Sequence, residues 1–329
     1  MHYVPRLLLR GFAVGKTGDV LWRYCKDGSK PVRLTTHDAA CEKHLYDLQG
    51  EALLWLDDVF TKVEGHAARP LSRLKQQECL SLSERVDLAI MLGVQAVRTP
   101  VYIQSMEAGA SLVLNDVTRW LAADEKRFSA TMEACRHRGL LPAGFDVRRA
   151  REAIRASDVT CPAPRASLLV GLVDVARSWA RAAVSMRWSV LRAPVGVPYL
   201  CSDNPVYVED PERDRHRSSG AALQSSRAVE MTCPLSADLA LLGTWPHSTQ
   251  IIHCDASPAV VKEVNRRTVY AAGKYIYAGA KSQWVTGFVK KHAECAPPSI
   301  VAAIEEVGAE LWLRFTTSSH PVASIVSML

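Results

Sequence analysis

The chain has 329 residues, with 40 Lys+Arg against 34 Asp+Glu for a formal net charge of +6, and 48% hydrophobic against 22% charged residues. That mix excludes widespread disorder, a collagen-like repeat and a disulfide-stapled miniprotein, and a chain this long buries a sizeable core without staples. The mild positive charge permits an anionic partner without demanding one.

In HYVPRLLLRGF (2–12), His2, Arg6 and Arg10 recur every four residues, so on a helix they would share one face, with Pro5 tolerated in a first turn. A His beside two guanidinium forks suits an anion; the alternative is a surface stripe over buried Leu7, Leu8, Leu9 and Phe12. GFAVGKTG (11–18) fails as a phosphate loop. Its first Gly sits one residue too close to Gly15, and a strand-like DVLWRY follows where a helix is required. Residues 19–36 read as a hairpin turning at Asp27-Gly28. Residues 38–64 read as a helix with Leu48, Ala52, Trp55, Val59 and Val63 on one face, punctuated by Gly65 and Pro70.

Ser81-Leu-Ser-Glu84 forms a capping box, opening a helix that Pro100 stops near Arg98. Helices are predicted over 101–123, on to about Arg138, over 147–157, and over 166–186. The last is the most apolar stretch, and its Asp174, Arg177 and Arg181 mark it as a core helix rather than a membrane span. Beyond Met186 come the strand-like pieces RWSVLRAP, VPYLCSD, PVYVED, AVEMTCPLS and LALLGTW, with a polar surface loop at 210–227. Helices from Pro258 to about Gly273 and over 281–292 follow, then a strand at ELWLRF.

This order predicts an α+β fold. A mainly helical N-terminal half packs on a small, mostly antiparallel sheet from the C-terminal half plus the N-terminal hairpin. The chain reads as one unit, 1–329, with an internal subdivision into 38–186 (helical) and 1–37 with 187–329 (sheet-containing). Nine scattered Cys without a Cys-x-x-Cys pair argue against zinc and thiol-redox sites and fit a reducing compartment. Arg6 and Arg10 interrupt any signal-peptide core, so the expectation is a cytoplasmic protein. No HExxH, GxSxG or GxGxxG is present, and only His247 and His253 lie close to each other among the histidines that could serve as loop and strand ligands. The Arg-rich runs at 136–138, 148–155 and 213–217 read as solvated faces.

CSDNPVYV (201–208) places Asp203 and Asn204 in a turn stopped by Pro. Such a pair can orient water, hold a divalent cation or bind a polar substrate; its alternative is a turn whose Asp satisfies backbone N–H groups. HYVPRLLLRGF, the WRY hairpin, VEGHAARPLSRL, AVRTP, RWSVL, LCSDNPV, CPLS and the Asn265 segment before YAAGKYIYA together resemble the bacterial DUF4238 family, in the right order over about residues 2–280. The resemblance supplies no chemistry. It singles out His2, Arg6, Arg10, Glu64, Arg98, Asp203, Asn204 and Asn265.

Burying such groups together is costly unless they pair or bind something. The expectation is a hydrolase for a phosphate-bearing substrate, nucleic acid among the options, in the manner of a defence or toxin nuclease. His2, Asp203 and Glu64 would be catalytic; Arg6, Arg10, Arg98, Asn204 and Asn265 would bind substrate. The cofactor stays open, with a divalent metal among the options, and no membrane is expected as partner. The rivals are a non-catalytic nucleotide or protein binding module and an internal ion-pair network, for example Glu64 with Arg98 and Asp203 with Arg10.

Overall fold

In the computed structural model, a hairpin from residues 20–35 pairs with a strand at 275–278. The structure describes residues 2–15, 17–43, 45–46, 52–157, 159–211, 227–245, 250–295, 297, 299–307, 310–318 and 322–329, with backbone alone for 52–54, 299–307 and 310–318. After a short helix α1 (Arg6–Leu9) come β1 (Val20–Cys25) and β2 (Val32–Thr35). Their antiparallel register pairs Val20 with Thr35 and Arg23 with Val32. The turn is set by Gly28 at φ +81 and by the Asp27 carboxylate, which accepts the Ser29 N–H at 2.8 Å.

Six helices follow: α2 (Ala52–Lys75), α3 (Leu82–Val97), α4 (Pro100–Ala123), α5 (Glu125–His137), α6 (Val147–Arg155) and α7 (Arg165–Ser185). The capping box at Ser81 and Glu84 is formed in both directions. Arg98 is the C-cap of α3, and Thr99 the N-cap of α4, with Pro100 opening it. Gly93 lets α3 approach α7 closely, since a Cβ there would lie 2.3 Å from the Ala176 carbonyl oxygen.

The remainder is β3 (Arg187–Arg192), β4 (Cys201–Ser202), β5 (Tyr207–Glu209), β6 (Glu230–Pro234), β7 (Leu239–Thr244), β8 (Ile251–Asp255), α8 (Pro258–Ala271), β9 (Tyr275–Ala278), α9 (Gln283–His292), β10 (Ser299–Val307) and β11 (Glu310–Ser318), closing on a 3-10 turn at Val326–Met328. The fold is α+β, and it has two principal sheets where the sequence suggests one. One runs β2-β1-β9-β4 and the other β5-β6-β7-β3-β8; β10 and β11 form a ribbon that packs along α4. Only β3 and β8 pair in parallel among the described strands.

Between β6, α8 and residues 323–326 lies a buried ionic cluster, to which Arg266 adds a pair with Glu263 at 2.7 Å. Arg267 is fully buried and bonds Glu230 at 2.6 Å, Glu263 at 3.3 Å and the Ala323 carbonyl at 2.6 Å. The Glu230 carboxylate also accepts the Ser324 hydroxyl and the N–H groups of Ile325 and Val326 at 2.7–3.0 Å, while the Ile325 side chain is buried beside it.

Three sequence expectations are corrected. His2, Arg6 and Arg10 do not share a helix face. Pro5 is the extended N-cap of a four-residue helix, and His2 instead forms a β-bridge to Cys41. The helix expected over 38–64 is displaced: 37–40 form turns, and the described helix starts at Ala52 and continues through Gly65 and Pro70 to Lys75. A Pro inside a helix costs about 3 kcal/mol, but Ala67, Leu71 and Leu74 on either side of it are buried, each Leu contributing about 1.5–3 kcal/mol. Strands β9 and β10 stand where no strand was assigned, and β8 holds His253, which the sequence placed on a strand. Leu48, Arg213–Arg217, His247 and most of the 210–227 loop lie outside the described residues. Among the described residues no single helix is long and apolar enough to cross a membrane; α3 and α4 meet that test only as a pair bent by 60°.

Candidate functional site

The SDNP turn is held from both sides. Strand β4 ends at Ser202, and the Asp203 N–H extends its ladder to the Tyr275 carbonyl at 3.0 Å. The Asp203 side chain then turns back onto β9: one oxygen accepts the Gly273 N–H at 2.9 Å, the other the Lys274 and Tyr275 N–H groups at 2.7 and 2.8 Å. Burial pushes its pKa above the ordinary carboxylate value, while these N–H groups and the Lys26 charge pull against that. Asn204 links two helix ends. It accepts from the Thr99 hydroxyl at the start of α4 (3.2 Å) and donates to the Ala271 carbonyl at the end of α8 (3.0 Å). Lys26 closes the same end, donating to the carbonyls of Val269, Ala272 and Cys295 at 2.7–3.1 Å; burial lowers its pKa, and Asp203 opposes that.

Beside Asp203 opens a cavity of about 550 Å³. The N-terminal end of α4 meets it through Pro100, Val101, Gln104 and Ser105, the start of β9 through Tyr275 and the preceding Lys274, and the N-terminal segment through Tyr3 and Glu42. The Tyr277 hydroxyl accepts the Ala40 N–H at 3.1 Å, and burial raises the pKa of both Tyr3 and Tyr277. The Lys274 ammonium stands 5.1 Å from the Tyr275 ring centroid and the Arg23 guanidinium 4.6 Å.

Arg98 lies behind this wall, almost wholly buried. Its guanidinium bonds the Tyr3 carbonyl and Gln95 at 3.1 Å and Glu64 at 2.8 Å, and stacks 5.3 Å over Phe60, while its main-chain oxygen accepts the Tyr46 hydroxyl at 2.5 Å. Nη2 of Arg98 has no partner among the described residues. The Glu64–Arg98 pair named as a structural alternative is therefore formed, whereas Arg10 pairs with Asp19 rather than Asp203, at 3.4 Å, alongside Arg6 at 3.9 Å.

The eight residues singled out by sequence thus fall into separate places. Asp203 lines the cavity, with Asn204 adjoining it and Arg98 and Glu64 joined to it through the Tyr3 backbone. His2 is not in the lining; its Nε2 bonds the His37 carbonyl at 2.8 Å and its ring packs edge-on to His37 at 6.0 Å. Burial lowers the His2 pKa. Arg6 and Arg10 flank Asp19. Asn265 is a clamp on the chain before β4: it accepts the Leu200 N–H at 2.8 Å and donates to the Pro198 carbonyl at 3.0 Å. Sequence reasoning missed Tyr3, Glu42, Gln104, Ser105, Lys274 and Tyr275. The signal for two of them was at hand, since Gly273-Lys274-Tyr275 lies inside the quoted YAAGKYIYA.

Among the described residues no three His, Cys, Asp or Glu side chains gather in a way that would hold a metal ion. The sequence model of the family described as "Protein of unknown function (DUF4238)" matches residues 1–282. No curated protein and no solved structure matches the chain.

Proposed function

The chain belongs to the DUF4238 family, and from the geometry of its Asp203 cavity we propose that it binds a phosphate-bearing small molecule of nucleotide size there. One observation carries the reading: Pro100 and Val101 at the N-terminal end of α4, Lys274, Tyr3 and Tyr275 all line the same cavity of about 550 Å³. A 24-residue helix brings partial positive charge to its first turn, where Pro100 carries no N–H, the Tyr102 N–H is capped by the Thr99 hydroxyl, and the Val101 N–H is the donor left over. Lys274 adds a full charge. Tyr275, already flanked by Lys274 and Arg23, offers a stacking surface for a base. Gln104 and Ser105 supply polar contacts for orientation. Asp203 acts as a positioning residue, because both of its oxygens are engaged in fixing the backbone that carries Lys274 and Tyr275.

Calorimetric titration of the full chain with nucleoside monophosphates, diphosphates and triphosphates is expected to give saturable binding that the parent nucleosides lack. Lys274→Ala, an exposed change, is expected to weaken it about tenfold or more. Absence of binding across the panel, or an unchanged affinity in Lys274→Ala, overturns the proposal.

Hydrolysis of a bound phosphate ester is the second reading, favoured by the exposed Glu42 carboxylate in the lining. Glu42 would activate the attacking water, and Lys274 and α4 would stabilise the developing charge. The test is chromatography of nucleotides, RNA and DNA after incubation, with and without divalent metal. No product from wild type, or equal product from Glu42→Gln, removes this reading and leaves binding intact.

A further inference from the structure

The end of α4 remote from the Asp203 cavity carries α5 and α6, which pack mainly on α4 and on each other. Arg151 of α6 fixes the junction, donating to the Ala122 carbonyl at 2.9 Å and pairing with Glu125 at 3.1 Å. The loop that joins the two helices, Leu140–Phe145, reads Leu-Leu-Pro-Ala-Gly-Phe and holds no polar side chain. A segment that meets water is ordinarily polar, yet Leu140 is 66% exposed, and Pro142, Ala143 and Gly144 are exposed with it. The exposure is fixed by the helix end. The Leu140 N–H bonds the Cys135 carbonyl and the Gly139 N–H the Arg136 carbonyl, both at 2.9 Å, with Gly139 at φ +67. In this Schellman motif the residue after the glycine commonly packs back on its own helix; Leu140 faces water instead.

Arginines flank the loop on both sides. Arg136 and Arg138 stand at the end of α5, Arg148 and Arg149 at the start of α6, and all four are exposed. Chain length alone keeps the Arg138 and Arg148 backbones within about 10 Å of the loop. From Arg136 to Arg149 the only acid is Asp146, which caps α6 by accepting the Arg149 N–H at 3.0 Å. Arg148 has Glu152 at 3.1 Å; the side chains of Arg136, Arg138 and Arg149 have no ion pair or hydrogen bond among the described residues.

Polarity and charge together select the occupant. Nucleic acid would engage the arginines through its phosphates and sugars but gives an exposed Leu140 nothing to enter. An anionic lipid surface answers both features: its interface takes up apolar side chains, and its headgroups attract cations beside them. The contact is peripheral and uses no spanning helix, and it departs from the sequence expectation of no membrane partner.

We propose that the Leu140–Phe145 loop docks the protein on an anionic lipid surface, with its apolar side chains in the headgroup–acyl boundary and the flanking arginines on lipid phosphates. The inference is independent of the Asp203 cavity. The experiment is co-sedimentation of the full chain with vesicles of phosphatidylcholine alone and of phosphatidylcholine with about a third phosphatidylserine. The mixed vesicles carry the protein down, added salt releases it, and the neutral vesicles bind it about tenfold or more weakly. Leu140→Asp, a change at an exposed side chain, weakens binding to the mixed vesicles about tenfold or more, as does Arg136→Glu/Arg149→Glu. Both variants keep the helical circular-dichroism signal; should Leu140→Asp not fold, Leu140→Ser decides in its place. No sedimentation of wild type with the mixed vesicles, or equal sedimentation of the Leu140 variant, overturns the proposal. Binding to RNA or DNA that the Leu140 variant retains, without vesicle binding, also overturns it and gives the arginines to nucleic acid. A dimer that the Leu140 variant dissociates, and that excludes vesicles, overturns it as well, since a second copy then covers the loop.

Discussion

Replacing Asp203 with Ala strips the acceptors from three N–H groups held at 2.7–2.9 Å, those of Gly273, Lys274 and Tyr275. Each buried donor left unmade costs about 1–3 kcal/mol. Two effects reduce the sum. The adjoining cavity, about 550 Å³, has room for water to reach the donors on that side. Removing a buried carboxylate also recovers part of its desolvation cost. The expected net loss is about 2–4 kcal/mol of unfolding free energy. Asp203→Asn is expected to lose at least as much, because one oxygen cannot serve three N–H groups and its amide opposes donor to donor. Urea unfolding followed by circular dichroism measures both variants by linear extrapolation. If Asp203→Asn unfolds within about 0.5 kcal/mol of wild type, the carboxylate does not hold the β9 backbone and the positioning role collapses. A proton-transfer role predicts that opposite pattern: a stable Asp203→Asn with its chemistry lost.

Arg267→Met leaves Glu230 buried without its cation, while Glu263 keeps Arg266 at 2.7 Å; loss of one partner from such a cluster is expected to cost about 3–5 kcal/mol in urea unfolding, and less in the double variant Arg267→Met/Glu230→Gln. Gly93→Ala drives a Cβ to 2.3 Å from the Ala176 carbonyl oxygen, so α3 and α7 must separate, with a drop of about 1–3 kcal/mol visible as a lower Tm. Glu84 has its pKa lowered to about 2 by the Ser81 N–H and then Arg73, from an ordinary value of 4.5. Its stabilisation is therefore complete above pH 4.5 and lost as pH falls toward about 2; Glu84→Gln is expected to unfold earlier than wild type at pH 6 and together with it near pH 2.

What could be read from the sequence was local. The Asp27-Gly28 turn, the Ser81–Glu84 capping box and the Pro100 break each depend on residues within four positions, and each stands where expected. Strand β9 was missed because its meaning lies elsewhere: YIYA pairs with β1 some 250 residues earlier and has only four residues of its own. The helix face imagined for His2, Arg6 and Arg10 failed on one residue, since an extended Pro5 directs His2 into a bridge with Cys41. At the candidate site, Asp203 and Asn204 announced themselves by type, but apart from the Thr99 hydroxyl their side chains bond backbone groups of 271–275, and a main-chain group leaves no mark in a sequence. Tyr3 and Glu42 became lining residues only because residues 2–3 zip against 40–41.

The clamp of residues 323–326 on Glu230 and Arg267 has a consequence for biosynthesis. A ribosome adds about 5–20 residues per second, so on the order of ten seconds separates the emergence of Glu230 from that of the segment that seals it. Throughout that interval a guanidinium and two carboxylates destined for a dry interior keep their water. The five-stranded sheet therefore sets its final packing late, after translation has passed Val326, and a nascent chain stalled before that point presents an unfinished, hydrated flank to chaperones and proteases.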